Sequence, residues 1–306
     1  MRTLRRLLLQ PGRRRVSTRC QVDLRGRSLT ALFLLLGFIA GLAVAYTVLS
    51  HRHKSKYLAF AEYWVYLPGT ELPAQTEVMT RMIQQNPYSR RGLSPIGPSE
   101  GLVFSDVRLH TALVLRTKNT HIFRPDLFED HLNPSPDVLE ALNSAQSLVK
   151  LRFTSDIPLK DKKHLQFLIH AADAVAAIGD GKASFDVKGE RLFSRADLQA
   201  ELSQNFDATV SSIHANVFWK PSVRGGIAET KGLCKIGISD LRTDMLEIDQ
   251  QVIATTVLSE AVKRIWELGS LPPSVDVTTF DDTFKVQVDR VKDETASIRI
   301  LRVQAI

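Results

Sequence analysis

The chain has 306 residues, a formal net charge of +7 and only two cysteines, enough length for a sizeable core and too few thiols for a disulfide scaffold. The charge is uneven: residues 1–56 hold ten Arg and two Lys against one acid, Asp23, so residues 57–306 hold 28 basic and 32 acidic groups, a net −4. The basicity belongs to the N-terminal flank, which removes the usual inference from a basic chain to nucleic acid.

Within that flank, Ser28 to Ser50 (SLTALFLLLGFIAGLAVAYTVLS) contains no Asp, Glu, Lys, Arg or Pro over 23 residues. As a helix at ~1.5 Å per residue it would be roughly 34 Å long, enough to cross a ~30 Å hydrocarbon core. A helix apolar on every side must be buried on every side, so one transmembrane anchor is expected, after a basic cytoplasmic arm at 1–27. Nine arginines precede the run, and only Arg52, Lys54 and Lys56 follow it closely. The positive-inside bias therefore puts the N-terminus in the cytoplasm and residues 51–306 outside. A bacterial inner membrane is the preferred reading and a mitochondrial inner membrane the alternative, because the first twenty residues are Arg-rich and acid-free as presequences are. A cleaved signal ending at Ala43-Val44-Ala45 also stays open, whereas a twin-arginine address at Arg5-Arg6 lies too far from the apolar run. Cys20 and Cys234 would lie on opposite sides of the membrane, and Cys234, alternating with apolar residues, reads as a small core residue.

Beyond the span, Tyr57, Phe60, Tyr63, Trp64 and Tyr66 crowd into ten residues. Aromatics just outside a span form interfacial belts, and Tyr57 and Phe60 are assigned to one. Residues 77–85 have helical spacing, and the Pro/Gly/Ser-dense stretch 86–101 reads as a linker. A compact domain is thus expected over 102–306, preceded by a juxtamembrane segment at 51–101. Its elements follow in order: a buried strand at 109–117; a helix entered through Ser135-Pro136-Asp137; a strand at 147–154 with Lys150 and Arg152 on a wet face; and a long helix from Leu159 to Ile178 stopped by a left-handed Gly179. Next come a short strand at 183–187, a small helix at 196–202, alternating segments at 212–220 and 227–246, and a helix at 250–268 capped by Asp249 and ended by Gly269. The C-terminal strands close in hairpins. The pattern predicts an α+β class: a mixed or mostly antiparallel sheet with helices packed on one face, preceded by the transmembrane helix.

Two stretches resemble a known family. TKGLCKIGISDLRT (230–243), before a long helix, is similar to the T-x-G-[LM]-x-x-x-G-x-x-[ED]-[LI] signature of the bacterial domain-of-unknown-function family 4261, and HAADAVAAIGDGKASFDVKGERLFSRADL (170–198) resembles its helix–strand–helix pattern. The resemblance covers about 45 residues and implies an α+β fold in bacteria, with no activity and no catalytic residues.

The candidate chemistry is sparse. His51 and His53 flank Arg52, which repels a cation; His164 and His170, six apart on one helix, point to different faces. Gly179-Asp180-Gly181-Lys182 lacks the first glycine and the hydroxyl residue of a phosphate loop, and it ends a helix where such a loop begins one. Asp281-Asp282 reads as a solvated turn. Thr230, Lys231, Gly232 and Lys235 form the most site-like polar cluster, because a glycine there admits close backbone approach. No cofactor and no metal is expected. The expected function is a single-pass membrane-anchored protein whose external domain is a binding or interaction module. The alternative is an anchored enzyme, in the first place a hydrolase. The expected partners are the lipid bilayer and a protein or envelope component, with no nucleic acid.

Gly37, Gly41 and Ala45 recur every four residues, so small side chains would line one helix face and permit homodimerisation through the span. Gly41→Leu is expected to weaken self-association in a membrane two-hybrid assay while leaving insertion intact. An unchanged signal would exclude this face as the interface.

Overall fold

In the computed structural model the described residues are 57–85, 108–124, 128, 132, 134–205 and 207–303, and residues 57–306 form one compact unit. Two sheets are present in place of the single sheet expected. The first has the order β2-β3-β1-β4-β5, all antiparallel: β1 (Ala59–Leu67), β2 (Leu109–Leu115), β3 (Ser147–Ser155), β4 (Ala183–Asp186) and β5 (Arg191–Ser194). The second has the order β6-β7-β8-β11-β10-β9: β6 (Asn216–Ser222), β7 (Gly225–Lys231), β8 (Asp240–Thr243), β9 (Ser274–Thr279), β10 (Asp282–Lys292) and β11 (Thr295–Val303). It is mixed, because β8 and β11 run parallel. The α+β class stands.

The aromatic segment after Tyr57 is the largest departure from the sequence reading. It is the central strand of the first sheet, pairing β3 on one side and β4 on the other. Its period-two alternation sends Ala61, Tyr63, Val65 and Leu67 into the main core, and Tyr66 into a second cluster on the opposite face. Phe60 is held between Arg152 and Lys188 at 5.4 and 5.0 Å from its ring centroid. The compact unit therefore begins at Tyr57 and not at Leu102. Of the two residues assigned to a belt, Tyr57 is exposed and Phe60 is half-buried.

Helices cover both faces of this sheet. α1 (Gln75–Gln85) and α3 (Lys163–Ile178) bury Val78, Met82, Leu165, Leu168 and Ala172 against the inner face. α2 (Pro136–Ser144) and the turn ending at Phe123 seal the other face with Val138, Leu142 and Phe123. The predicted wet face of β3 is accordingly half-buried: Lys150 lies 4.6 Å from the Trp64 ring, and Arg152 Nε donates to Glu62 at 2.5 Å. β2, expected to be buried, is an edge strand whose residues are half-exposed or exposed. In the second sheet one face takes α6 (Gln251–Leu268) through Val257, Leu258, Ala261 and Ile265, packed near Val277, Val286 and Ile298. The opposite face carries exposed ion pairs such as Arg299–Asp289 at 2.6 Å.

Two helix boundaries were misassigned from sequence. Gly179 has φ −85° and is not the left-handed stop; Asp180 takes that conformation at φ 53°. Gly179 is there for space, since a Cβ would lie 2.8 Å from Leu67 Cδ2. Asp249 sits inside a 3-10 turn (Ile248–Gln250), and the capping box is formed by Glu247 and Gln250. Gly269 does end α6 in the left-handed region, at φ 65°. Among the described residues no helix is long and apolar enough to cross a membrane; the run from Ser28 to Ser50, with Gly37, Gly41 and Ala45, lies outside them, as do Cys20, His51 and His53.

Removing β1 would leave both β3 and β4 with unpaired backbone in the middle of a buried sheet. A fragment starting at Leu102 is therefore expected to lack a cooperative thermal transition, whereas Tyr57–Ile306 melts cooperatively. Calorimetry of the two fragments checks this, and equal transitions would contradict the assignment of β1 to the core.

Candidate functional site

The chemistry-bearing residues gather where β4 of the first sheet meets the turn after β7 of the second. That turn begins at Gly232, left-handed at φ 107°, continues as a 3-10 turn (Leu233–Ile236), and ends at Gly237, left-handed at φ 81°. The two glycines, read from sequence as interruptions between strands, fold 232–237 inward as a 3-10 turn. Gly232 is demanded by space as well as φ: a Cβ there would lie 2.1 Å from the His214 carbonyl oxygen.

The inward fold buries Lys235 completely. Its ammonium donates to Asp186 Oδ2, itself fully buried at the end of β4, and to the His214 carbonyl at 2.6 Å. It also lies 5.5 Å from the Tyr63 ring centroid. Asp186 Oδ1 accepts from the Gly189 amide at 3.0 Å. Gly189 must be glycine for the pair to fit, since a Cβ would sit 2.5 Å from Asp186 Oδ2. The network continues through two neutral histidines. His214, in the helical turn α5 (Ser211–His214), donates from Nε2 to the Ala208 carbonyl at 2.6 Å, which leaves Nδ1 to accept from the Tyr63 hydroxyl at 2.8 Å. His164 Nε2 donates to the Lys235 carbonyl at 3.0 Å. Burial, reinforced by the Lys235 charge, holds the His214 pKa well below the usual histidine value, and burial lowers His164 to about 4. Burial and the Asp186 carboxylate push the Tyr63 phenol up.

Above this buried pair opens a cleft of about 340 Å³. One wall is the β4–β5 turn with Lys188 and Glu190; the other is β7 and β8 with Glu229, Thr230, Lys231, Asp240 and Arg242; Glu294 closes an end. Lys231 bridges Glu190 at 3.0 Å and Glu229 at 3.7 Å, Lys220 pairs with Glu229, and Lys188 lies 3.7 Å from Glu294. Burial raises the Asp240 carboxyl to about 6, opposed by the Leu233 amide at 3.0 Å and the Thr230 hydroxyl at 3.2 Å. The Cys234 thiol on the cleft wall is pushed up to about 12 by burial and by Asp240, so it is protonated and a poor nucleophile at neutral pH.

The four residues singled out from sequence thus separate into layers. Thr230 and Lys231 line the cleft, Gly232 shapes its floor, and Lys235 lies beneath it, out of reach of solvent. Asp186, His214 and Tyr63 escaped the sequence reading. The available signal was Asp186 itself, an ionised residue amid the apolar Phe185 and Val187. The remaining motifs stay apart: Gly179 to Lys182 follows a helix end, Asp281 lies in the β9–β10 turn, and Asp282 opens β10 and pairs with Arg302 at 2.6 Å.

His164 and His170 both fall to about 4 through burial, and His214 shifts the same way. Folded pKa values below the unfolded 6.5 mean that the unfolded chain binds more protons in acid. Stability is then complete above pH 6.5 and is lost as pH falls toward 4. The carboxyls of Asp240 and Asp173, both raised by burial, act oppositely, as two groups against three. Tyr57–Ile306 is expected to be less stable at pH 5 than at pH 7.5, with His164 and His170 each contributing on the order of 1–2 kcal/mol. Urea midpoints at the two pH values measure it, and His170→Gln should shrink the difference.

Comparison with protein-family models, with curated proteins and with solved structures gives no match.

Proposed function

We propose that the chain is a single-pass membrane-anchored protein whose unit from Tyr57 to Ile306 lies outside the cytoplasm and binds a partner protein through the cleft between the β4–β5 turn and β7–β8. The observation that carries this reading is the cleft's balanced charge on a rigid base. Glu190, Glu229, Asp240 and Glu294 stand among Lys188, Lys220, Lys231 and Arg242 over the buried Asp186–Lys235 pair. A polyanion would be repelled by half of these groups, whereas a polypeptide of mixed charge can pair with both signs. Arg242 is exposed and, among the described residues, makes no ion pair, so it is available to an incoming carboxylate. The segment 230–243, which carries the resemblance to family 4261, supplies one wall of this cleft.

The alternative, an anchored hydrolase, is favoured by Asp240, because a carboxyl raised to about 6 can exchange protons near neutrality. Its Oδ1 is already tied to Thr230 and Leu233, and the neighbouring Cys234 is protonated, so the cleft offers a proton donor without an activated nucleophile.

Two experiments test the reading. A phosphatase fused after Ile306 is expected to be active in bacteria, and activity confined to a cytoplasm-only reporter would contradict the orientation. A photo-crosslinking residue at Arg242 should trap one protein partner, with the adduct lost in Lys231→Glu and kept in Lys263→Glu, an exposed position on α6, which covers the opposite face of the sheet. Adducts indifferent to Lys231→Glu would exclude the cleft as the site.

A further inference from the structure

We infer that the end of the first sheet bearing Tyr57, Leu58 and Ile157 rests on the bilayer surface and so fixes how the cleft is presented; this rests on the membrane-anchored reading above. The three side chains are 51%, 50% and 56% exposed. The fold brings them together. The β1–β3 register ends at the pair Ala59–Ser155, the Leu58 amide donates to the Ser155 carbonyl at 2.6 Å, and the Ser155 hydroxyl donates to the Ile157 carbonyl at 2.8 Å, so all three residues lie at the same end of the sheet. Single exposed apolar residues are ordinary, but three large ones at one end of a sheet mark a contact surface.

The occupant follows from chain length. The uncharged run ends at Ser50, and the six residues from 51 to 56 can span at most about 20 Å even when fully extended. Tyr57 is the first residue of the folded unit, so the apolar end cannot move far from the membrane in which that run would lie. Tyr is suited to the headgroup level, where its ring is buried and its hydroxyl stays wet. Lys160, exposed in the loop that follows Ile157, can meet lipid phosphate. A unit held at this end keeps a limited set of orientations, with the bilayer itself excluding approach from one side.

The test uses the full chain in vesicles of phosphatidylethanolamine and phosphatidylglycerol, with Cys20 and Cys234 replaced by Ser. A polarity-sensitive fluorophore is placed on Ile157→Cys and, for comparison, on Val223→Cys, which is fully exposed in the β6–β7 turn. Emission at 157 is expected to be blue-shifted and quenched several-fold more by lipids carrying a headgroup-level nitroxide than emission at 223. Equal quenching at the two positions, or none at 157, in a chain that resists carbonate extraction overturns this inference and leaves the anchor standing. A chain released by carbonate overturns the anchor and the inference together.

Discussion

Two opposite charges sealed from water lie where the two sheets meet, beside a hydrophobic core that both sheets share, and the residues around them are fitted to their presence. Moving an ammonium and a carboxylate out of water costs several kcal/mol per ion, and mutual attraction offsets that cost only when the remaining hydrogen-bonding capacity is also satisfied. Here the offset comes from several elements at once. Asp186 belongs to the first sheet and Lys235 to the turn after β7 in the second; the Gly189 amide and the His214 carbonyl complete their bonding. Two glycines exist to let these groups approach. Gly189 would otherwise collide with the carboxylate and Gly232 with the His214 carbonyl.

The cleft inherits its shape from that arrangement. Its floor is the turn that carries Lys235, and its walls are the strands on either side, so its charged groups sit on elements the buried pair fixes in place. Ion pairs of Lys231 with Glu190 and Glu229 then tie the two walls together. Surface pairs of this kind add little to stability, but they reduce the number of side chains a partner must immobilise on binding.

Sequence periodicity served where one face of an element meets the core and failed where tertiary contact decides. The α3 stripe of Leu165, Leu168, Ala172 and Val175 was legible because helical spacing alone produces it. The strand β1 was not, because five aromatics after an apolar run look the same whether they face lipid headgroups or a sheet on two sides. Lys235 was legible as part of a polar cluster around Gly232. Its burial was not, because that depends on Asp186, forty-nine residues away and carried by a different sheet. The same holds for Gly179, whose role is set by Leu67 and not by its own backbone conformation. The expected anchor, with its Gly37, Gly41 and Ala45 face, is a reading of the sequence over residues outside the described ones.

A double-mutant cycle on Asp186 and Lys235 in Tyr57–Ile306, read by urea denaturation, tests the central claim most directly. Asp186→Asn and Lys235→Met should each cost about 3–5 kcal/mol, because each leaves one buried ion without its counter-charge. The double variant D186N/K235M should cost less than the two singles together by more than about 2 kcal/mol. Single losses that simply add, or singles near zero, would contradict a structure built around this pair.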